Sequence, residues 1–115
     1  MAGPGVAVAV RRGDIWWVDL DPTRGSEIRK VRPAVVITAS GLNRVRRTVV
    51  VIPLSTGPQP RPPIIVATPS AGRGSVAVCD QLRAVDKERL TRMSGQLSLA
   101  DLRAVEDSVR RILEL

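Results

Sequence analysis

Residues 24–33, Arg-Gly-Ser-Glu-Ile-Arg-Lys-Val-Arg-Pro, hold the side chains best suited to chemistry in this 115-residue chain. The stretch is polar, bears a glycine, and sets arginines, a lysine and one carboxylate between two apolar runs, Ile15–Val18 and Ala34–Ile37. Folding alone gives little reason to place such a loop there. It is suited to handling an anion, because a guanidinium presents a planar fork that matches phosphate oxygens. A second concentration of positive charge lies at Arg44, Arg46 and Arg47. Two basic loops on one face would form a groove that tracks a phosphate backbone. The other reading is that both only solvate turns.

Global charge agrees with an anionic partner. Eighteen Lys and Arg against eleven Asp and Glu leave a net charge of +7, which favours polyanions by long-range attraction and says nothing about fold. Sixteen of the eighteen cations are arginine, a ratio to which a high-GC genome also contributes.

Several chemistries are excluded by composition. There is no His, Tyr or Phe, so the commonest general acid and base is missing. One Cys and no His cannot build a typical zinc site, and no cofactor is expected. No glycine-rich nucleotide fingerprint follows a strand. Cys79 has no intramolecular partner, which argues against a secreted disulfide framework; in Val76–Cys79 it reads as a small buried hydrophobe. No apolar run approaches the roughly 20 residues of a membrane span. Residues 1–10 lack a basic segment before their apolar stretch and read as a tail, disordered or derived from the expression vector. A cytoplasmic protein without membrane contact is expected.

The elements that must position these residues are mostly strands. Short β-branched runs punctuated by Gly and Pro predict strands over 15–20, 34–38, 48–54, 64–67 and 75–85, with a final edge strand over 92–97. Four prolines and a glycine make 55–63 a surface loop. Asp86–Arg89 suits a short helical link. The period then changes. Ser98 is placed to cap a helix and Asp101 completes a capping-box-like start. Leu99, Leu102, Val105, Val109, Ile112 and Leu113 recur at helical spacing as a core-facing stripe. The charges on the opposite face nearly cancel, so this helix is not expected to read nucleic acid. The fold class expected is mainly β with a C-terminal helix, as a small barrel or strongly bent sheet.

Three motifs in order then carry a resemblance. Arg12-Gly13-Asp14-Ile15-Trp16-Trp17-Val18-Asp19-Leu20-Asp21-Pro22 is followed by Gly25-Ser26-Glu27 with Arg32-Pro33, and then by Val51-Ile52-Pro53-Leu54-Ser55-Thr56. Asp80–Val85 and Gly95–Ser98 extend the match over residues 11–115. The chain resembles the MazF/PemK/Kid toxins of type II toxin–antitoxin modules, which are mRNA interferases. The resemblance implies an SH3-like barrel of the CcdB/PemK type over 11–115, working as a homodimer. It implies metal-independent, sequence-specific cleavage of single-stranded RNA to a 2′,3′-cyclic phosphate and a 5′-hydroxyl. It also implies a cognate antitoxin. The residues that match the family's catalytic positions are Arg32, Ser55 and Glu27. Those matching RNA contacts, together with the basic loops, are Gly25, Ser26, Arg29, Lys30, Arg44, Arg46, Arg47, Thr56 and Gln81. Two departures stand out: Ile28-Arg29-Lys30 replaces the usual small residues after Glu27, and Ser55 stands where Thr is common.

This chemistry does not need histidine, because RNA supplies its own nucleophile, the 2′-hydroxyl. The protein must align it with phosphorus and stabilise the added negative charge. Arg32 suits a two-pronged phosphate clamp and proton donation to the leaving oxygen, not simple base chemistry, since a guanidinium gives up its proton only with difficulty. Ser55 suits a hydrogen bond to phosphate. Glu27 serves either as base or as the group that orients Arg32. Consecutive Trp16 and Trp17 on a strand face opposite ways, so one belongs to the core. The other stacks on a base or meets a second copy. Two other functions fit the same fold class, a gyrase-poisoning toxin and a non-catalytic RNA-binding barrel.

Overall fold

The computed structural model describes residues 9–20 and 31–115 of the chain. Seven antiparallel strands build one sheet: β1 (Asp14–Asp19), β2 (Val31–Val36), β3 (Thr48–Ser55), β4 (Ile65–Ala67), β5 (Val76–Val78), β6 (Arg83–Asp86) and β7 (Leu90–Gln96). Among the described residues two α-helices accompany them, α1 (Ser40–Val45) and α2 (Leu99–Leu113). The strand order is β4-β5-β3-β2-β1-β7, with β6 also paired to β3. Among the described residues no ladder joins β4 to β7, so the bent sheet is not closed as a hydrogen-bonded barrel.

β3 organises the bend by changing partners along its length. Its first half pairs with β6, from Thr48↔Asp86 to Val51↔Arg83, and its end pairs with β5 at Leu54↔Ala77 and Ser55↔Val76. Pro53 falls between the two ladders, where a residue without an N–H is tolerated. The same switch breaks the single strand expected over 75–85. β5 ends at Val78, a 3₁₀ turn over Cys79–Gln81 carries the chain across, and β6 begins at Arg83.

Alternation along the strands feeds two cores. Trp16, Val18, Ala34, Val36, Val49 and Val51 pack in one with Val85 and Leu90. Ile15, Val35, Ile52 and Leu54 pack in the other, with Cys79, Leu97, Leu102 and Val105. The buried Cys79 is the small hydrophobe its sequence context implied. Burial, helped by the neighbouring Asp80, pushes its thiol up to about 11, so it is unreactive at neutral pH.

The remaining departures have local causes. Val10, expected in a tail, is buried in the first core. β2 starts at Val31, three residues earlier than expected, which puts Arg32 and Pro33 in the strand. Pro33 is accepted because the β2–β3 ladder starts only at Ala34↔Pro53, leaving that side of β2 unpaired at Pro33. The expected basic loop around 44–47 begins within α1. This six-residue helix is fixed by tertiary contact: buried Asn43 donates from Nδ2 to the carbonyls of Thr38 at 2.9 Å and Val10 at 3.3 Å. β7 is the expected edge strand, and Lys87–Arg89 is the short 3₁₀ link.

α2 starts where Ser98 predicts, with Ser98 Oγ accepting from the Asp101 N–H at 3.1 Å. The reciprocal half of the box is relayed. Asp101 Oδ2 accepts from the Ser70 N–H at 2.8 Å and from the Ser70 hydroxyl, whose oxygen accepts from the Ser98 N–H at 3.0 Å. Ser70 thus supplies the reach that Asp lacks relative to Glu, and ties the 3₁₀ turn Pro69–Ala71 to the helix start. The stripe that packs is Leu102, Val105, Val109 and Ile112. Leu99 and Leu113, expected in it, are 62% and 48% exposed, because neither lies on that narrow face. Ser98→Ala is expected to cost about 1 kcal/mol by urea denaturation. Ser70→Ala should cost a similar amount, although Ser70 lies outside the helix; an unchanged midpoint would mean the relay carries no stability.

Candidate active site

One end of the sheet is where the start of β2, the end of β3 and the middle of β1 come together. A cleft of about 410 Å³ opens there. Its floor is Ile15, Trp17, Pro33 and Leu54, and its polar groups come from Arg32, Ser55, Thr56, Ser75 and Ser94. Ala71 and Gly72 form part of the opposing wall, so the Ser70 relay holds that wall to α2.

The register explains why Arg32 and Ser55 meet. β2 and β3 pair at Ala34↔Pro53, and continuing two residues brings Arg32 opposite Ser55 on the same side. They lie 23 positions apart in sequence and line one cleft. Ser55 Oγ accepts a long bond from the Gly57 N–H at 3.5 Å, which uses a lone pair and leaves the hydroxyl proton to donate. A guanidinium and a hydroxyl donor beside an apolar floor can hold a phosphate diester by its non-bridging oxygens while a base rests on the floor.

The other sequence-predicted residues divide. Thr56 joins Arg32 and Ser55 in the cleft. Gly25, Ser26, Glu27, Arg29 and Lys30 lie outside the described residues. Gln81 sits in the 3₁₀ turn between β5 and β6 and does not line the cleft. Arg44, Arg46 and Arg47 are exposed at the other end of β3 from Ser55. Eight residues of extended strand separate Arg47 from Ser55, up to about 26 Å. Arg44, Arg46 and Arg47 therefore do not share a rim with Arg32 and Ser55.

Sequence reading missed the wall opposite Arg32. Ser75 is buried there, its hydroxyl 3.0 Å from that of Thr68. Arg73 stands exposed between Gly72 (φ +133°) and Gly74 (φ +74°), both in backbone conformations that suit glycine. A Gly-Arg-Gly triplet was the available signal.

Residues 11–113 match the family of PemK-like, MazF-like toxins of type II toxin–antitoxin systems. Endoribonuclease MazF9 of Mycobacterium tuberculosis is 34% identical over 115 aligned residues, covering 92% of this chain and 98% of that protein. The crystal structure of MazF from Deinococcus radiodurans superposes with a TM-score of 0.83 at 22% identity, covering 93% of this chain and 98% of the other. A MazE–MazF crystal structure from the same organism gives 0.76 at 19% identity, covering 93% and 97%. At these identities the solved structures establish the fold.

Proposed function

The chain belongs to the PemK-like, MazF-like toxin family of type II toxin–antitoxin systems, and on that premise we propose that it is a sequence-specific endoribonuclease acting on single-stranded RNA. The observation that carries the proposal is the convergence of Arg32 and Ser55 on one cleft from two different strands. In the proposed reaction the ribose 2′-oxygen attacks the adjacent phosphorus and the P–O5′ bond breaks. The products are a 2′,3′-cyclic phosphate and a 5′-hydroxyl. Arg32 clamps the non-bridging oxygens and stabilises the charge that builds on them. Ser55 donates a further hydrogen bond to the phosphate. The 2′-proton leaves to Glu27 or to water, and a proton reaches the departing 5′-oxygen from Arg32 or from solvent. Arg32, Ser55 and Glu27 are the catalytic residues of this scheme. Gly25, Ser26, Arg29, Lys30, Arg44, Arg46, Arg47, Thr56 and Gln81 are its RNA contacts.

The reaction is proposed to be metal-independent, because RNA supplies its own nucleophile and a chain without histidine and with one buried cysteine cannot build a typical zinc site. Incubation of the protein with long single-stranded RNA in EDTA tests this, with 5′-hydroxyl ends mapped by sequencing. Cuts at a recurring short word support the proposal. Uncut RNA with arrested gyrase would support the gyrase-poison reading instead.

The proposed partners are the RNA, a cognate antitoxin and a second copy of the chain, in the cytoplasm. Among the described residues no helix is long and apolar enough to cross a membrane. The working unit is a two-fold homodimer with an interface of about 1,200–2,000 Å². Light scattering at micromolar concentration should give twice the chain mass; a monomer mass would count against it.

Salt dependence reports on the basic segments. Each phosphate contact on a single strand contributes about −0.7 to the log–log slope of affinity against salt. Arg29, Lys30, Arg44, Arg46 and Arg47 together give roughly −3.5 on a long RNA. An RNA of about four nucleotides held at the Arg32–Ser55 cleft is too short to reach Arg44, Arg46 and Arg47, so its slope should be shallower by roughly 2.1. Equal slopes for short and long RNA would show that the far arginines only solvate their turn.

A further inference from the structure

Trp17 is the largest apolar side chain among the described residues that belongs to neither core. It is half-buried in the cleft, which Pro33 also lines. On β1 it pairs across to Arg92 of β7 and across to Pro33 of β2, so the three form a row on one face of the sheet. The Arg92 guanidinium carbon lies 5.2 Å from the centroid of the Trp17 ring. Thr91 Oγ1 donates to the Trp17 carbonyl at 3.1 Å, which pins the strand at that point. The core does not need this indole. Trp16, its neighbour in sequence, fills the core from the other face and is 2% exposed.

An indole with a cation over its ring and a proline as its cross-strand neighbour, beside an arginine and a hydroxyl suited to a phosphate, has the make-up of a nucleobase subsite. Every base offers a π-face, so stacking fixes a strand's position without reading its identity. An Arg above the same ring adds cation–π attraction and positive charge for a flanking phosphate. We propose that Trp17, backed by Arg92, is the stacking platform for one nucleobase next to the scissile phosphate. It thereby sets where along the strand Arg32 and Ser55 act. The inference rests on the nuclease reading of this cleft. A second copy of the chain is the competing occupant; the positive charge around the ring and the net charge of +7 favour a polyanion.

The test uses the intact protein and an RNA carrying a single 2′-deoxy substitution at its mapped cleavage site, which is bound but not cut. Abasic positions are introduced one at a time along that RNA. With the native protein, one abasic position beside the scissile phosphate should weaken binding by about 5- to 150-fold. Trp17→Ala should lose a similar factor on the full RNA and then show no further loss at that abasic position. Trp17→Phe should keep most of the affinity and the same abasic sensitivity. Independent losses, in which Trp17→Ala and the abasic position multiply, would overturn the proposal. So would a Trp17→Ala protein whose affinity falls only because its mass drops from dimer to monomer. If Trp17→Ala does not fold, the abasic scan on the native and Trp17→Phe proteins decides, because absence of a single sensitive position in both rejects a stacking site. Should the all-ribose RNA be cut normally while the cycle shows no coupling, only the platform fails. Should the protein neither bind nor cut any RNA, the nuclease reading fails and the platform with it.

Discussion

Replacing Arg32 with alanine is expected to abolish RNA cleavage while leaving the fold in place. The residue lies half-buried at the start of β2, at the cleft and outside both cores, so its removal opens no cavity in either. Loss of one transition-state donor costs about 10²–10³ in rate, and a guanidinium supplies two donors and a full charge, so a loss beyond about 10³ is expected. Arg32→Lys should restore little, because a point charge does not reproduce the fork. Ser55→Ala should fall by about 10²–10³, and Ser55→Thr should remain active because the hydroxyl is kept. Single-turnover rates on one RNA would measure these, with circular dichroism and thermal midpoints as the check on folding. The same RNA with a 2′-deoxy residue at the scissile nucleotide must stay intact. Cleavage of that substrate at the same bond would show that the 2′-hydroxyl is not the nucleophile.

The second large effect separates the two tryptophans. Trp16→Ala should destabilise the fold by about 3–5 kcal/mol, since it removes the largest side chain from the first core and leaves a cavity among Val18, Ala34, Val36 and Leu90. For a domain whose total stability is about 5–15 kcal/mol, that leaves a population easily unfolded at 37 °C. Trp17→Ala removes a half-buried side chain that no core uses and should cost far less, with the loss appearing in RNA binding. Urea midpoints of the two variants give the comparison. Equal losses would mean that Trp17 packs with the Ile15 core as firmly as Trp16 packs in its own.

The strands and the terminal helix were legible because their signals are local. Short apolar, β-branched runs punctuated by Gly and Pro mark β1 and β3, and Ser98 with the Leu102, Val105, Val109 and Ile112 stripe marks α2. Less legible were features whose cause lies in a distant segment. α1 depends on Asn43 reaching the carbonyls of Val10 and Thr38, and a Gly-containing six-residue stretch carries no helical period of its own. The break at Cys79–Gln81 follows from β3 changing partners, which no property of residues 75–85 announces. Leu99 and Leu113 fit a helical stripe on paper yet remain exposed, since the width of the buried face is set by the sheet beneath it.

The sequence by itself determined the chemistry available to this protein: a basic, arginine-dominated chain with no histidine, its guanidinium and hydroxyl groups in three ordered motifs. It also determined that one of two consecutive tryptophans must turn away from the core, because side chains alternate along a strand. Which one turns away, and what it meets there, was decided by tertiary structure. The antiparallel register of β2 on β3 brings Arg32 to Ser55, and that of β1 between β7 and β2 sets Trp17 between Arg92 and Pro33. The same geometry sends Arg44, Arg46 and Arg47 to the far end of β3. Spacing along the chain cannot state these juxtapositions, because they come from which strands pair and in what register, and that is fixed only when a face of each strand is buried against the rest of the fold.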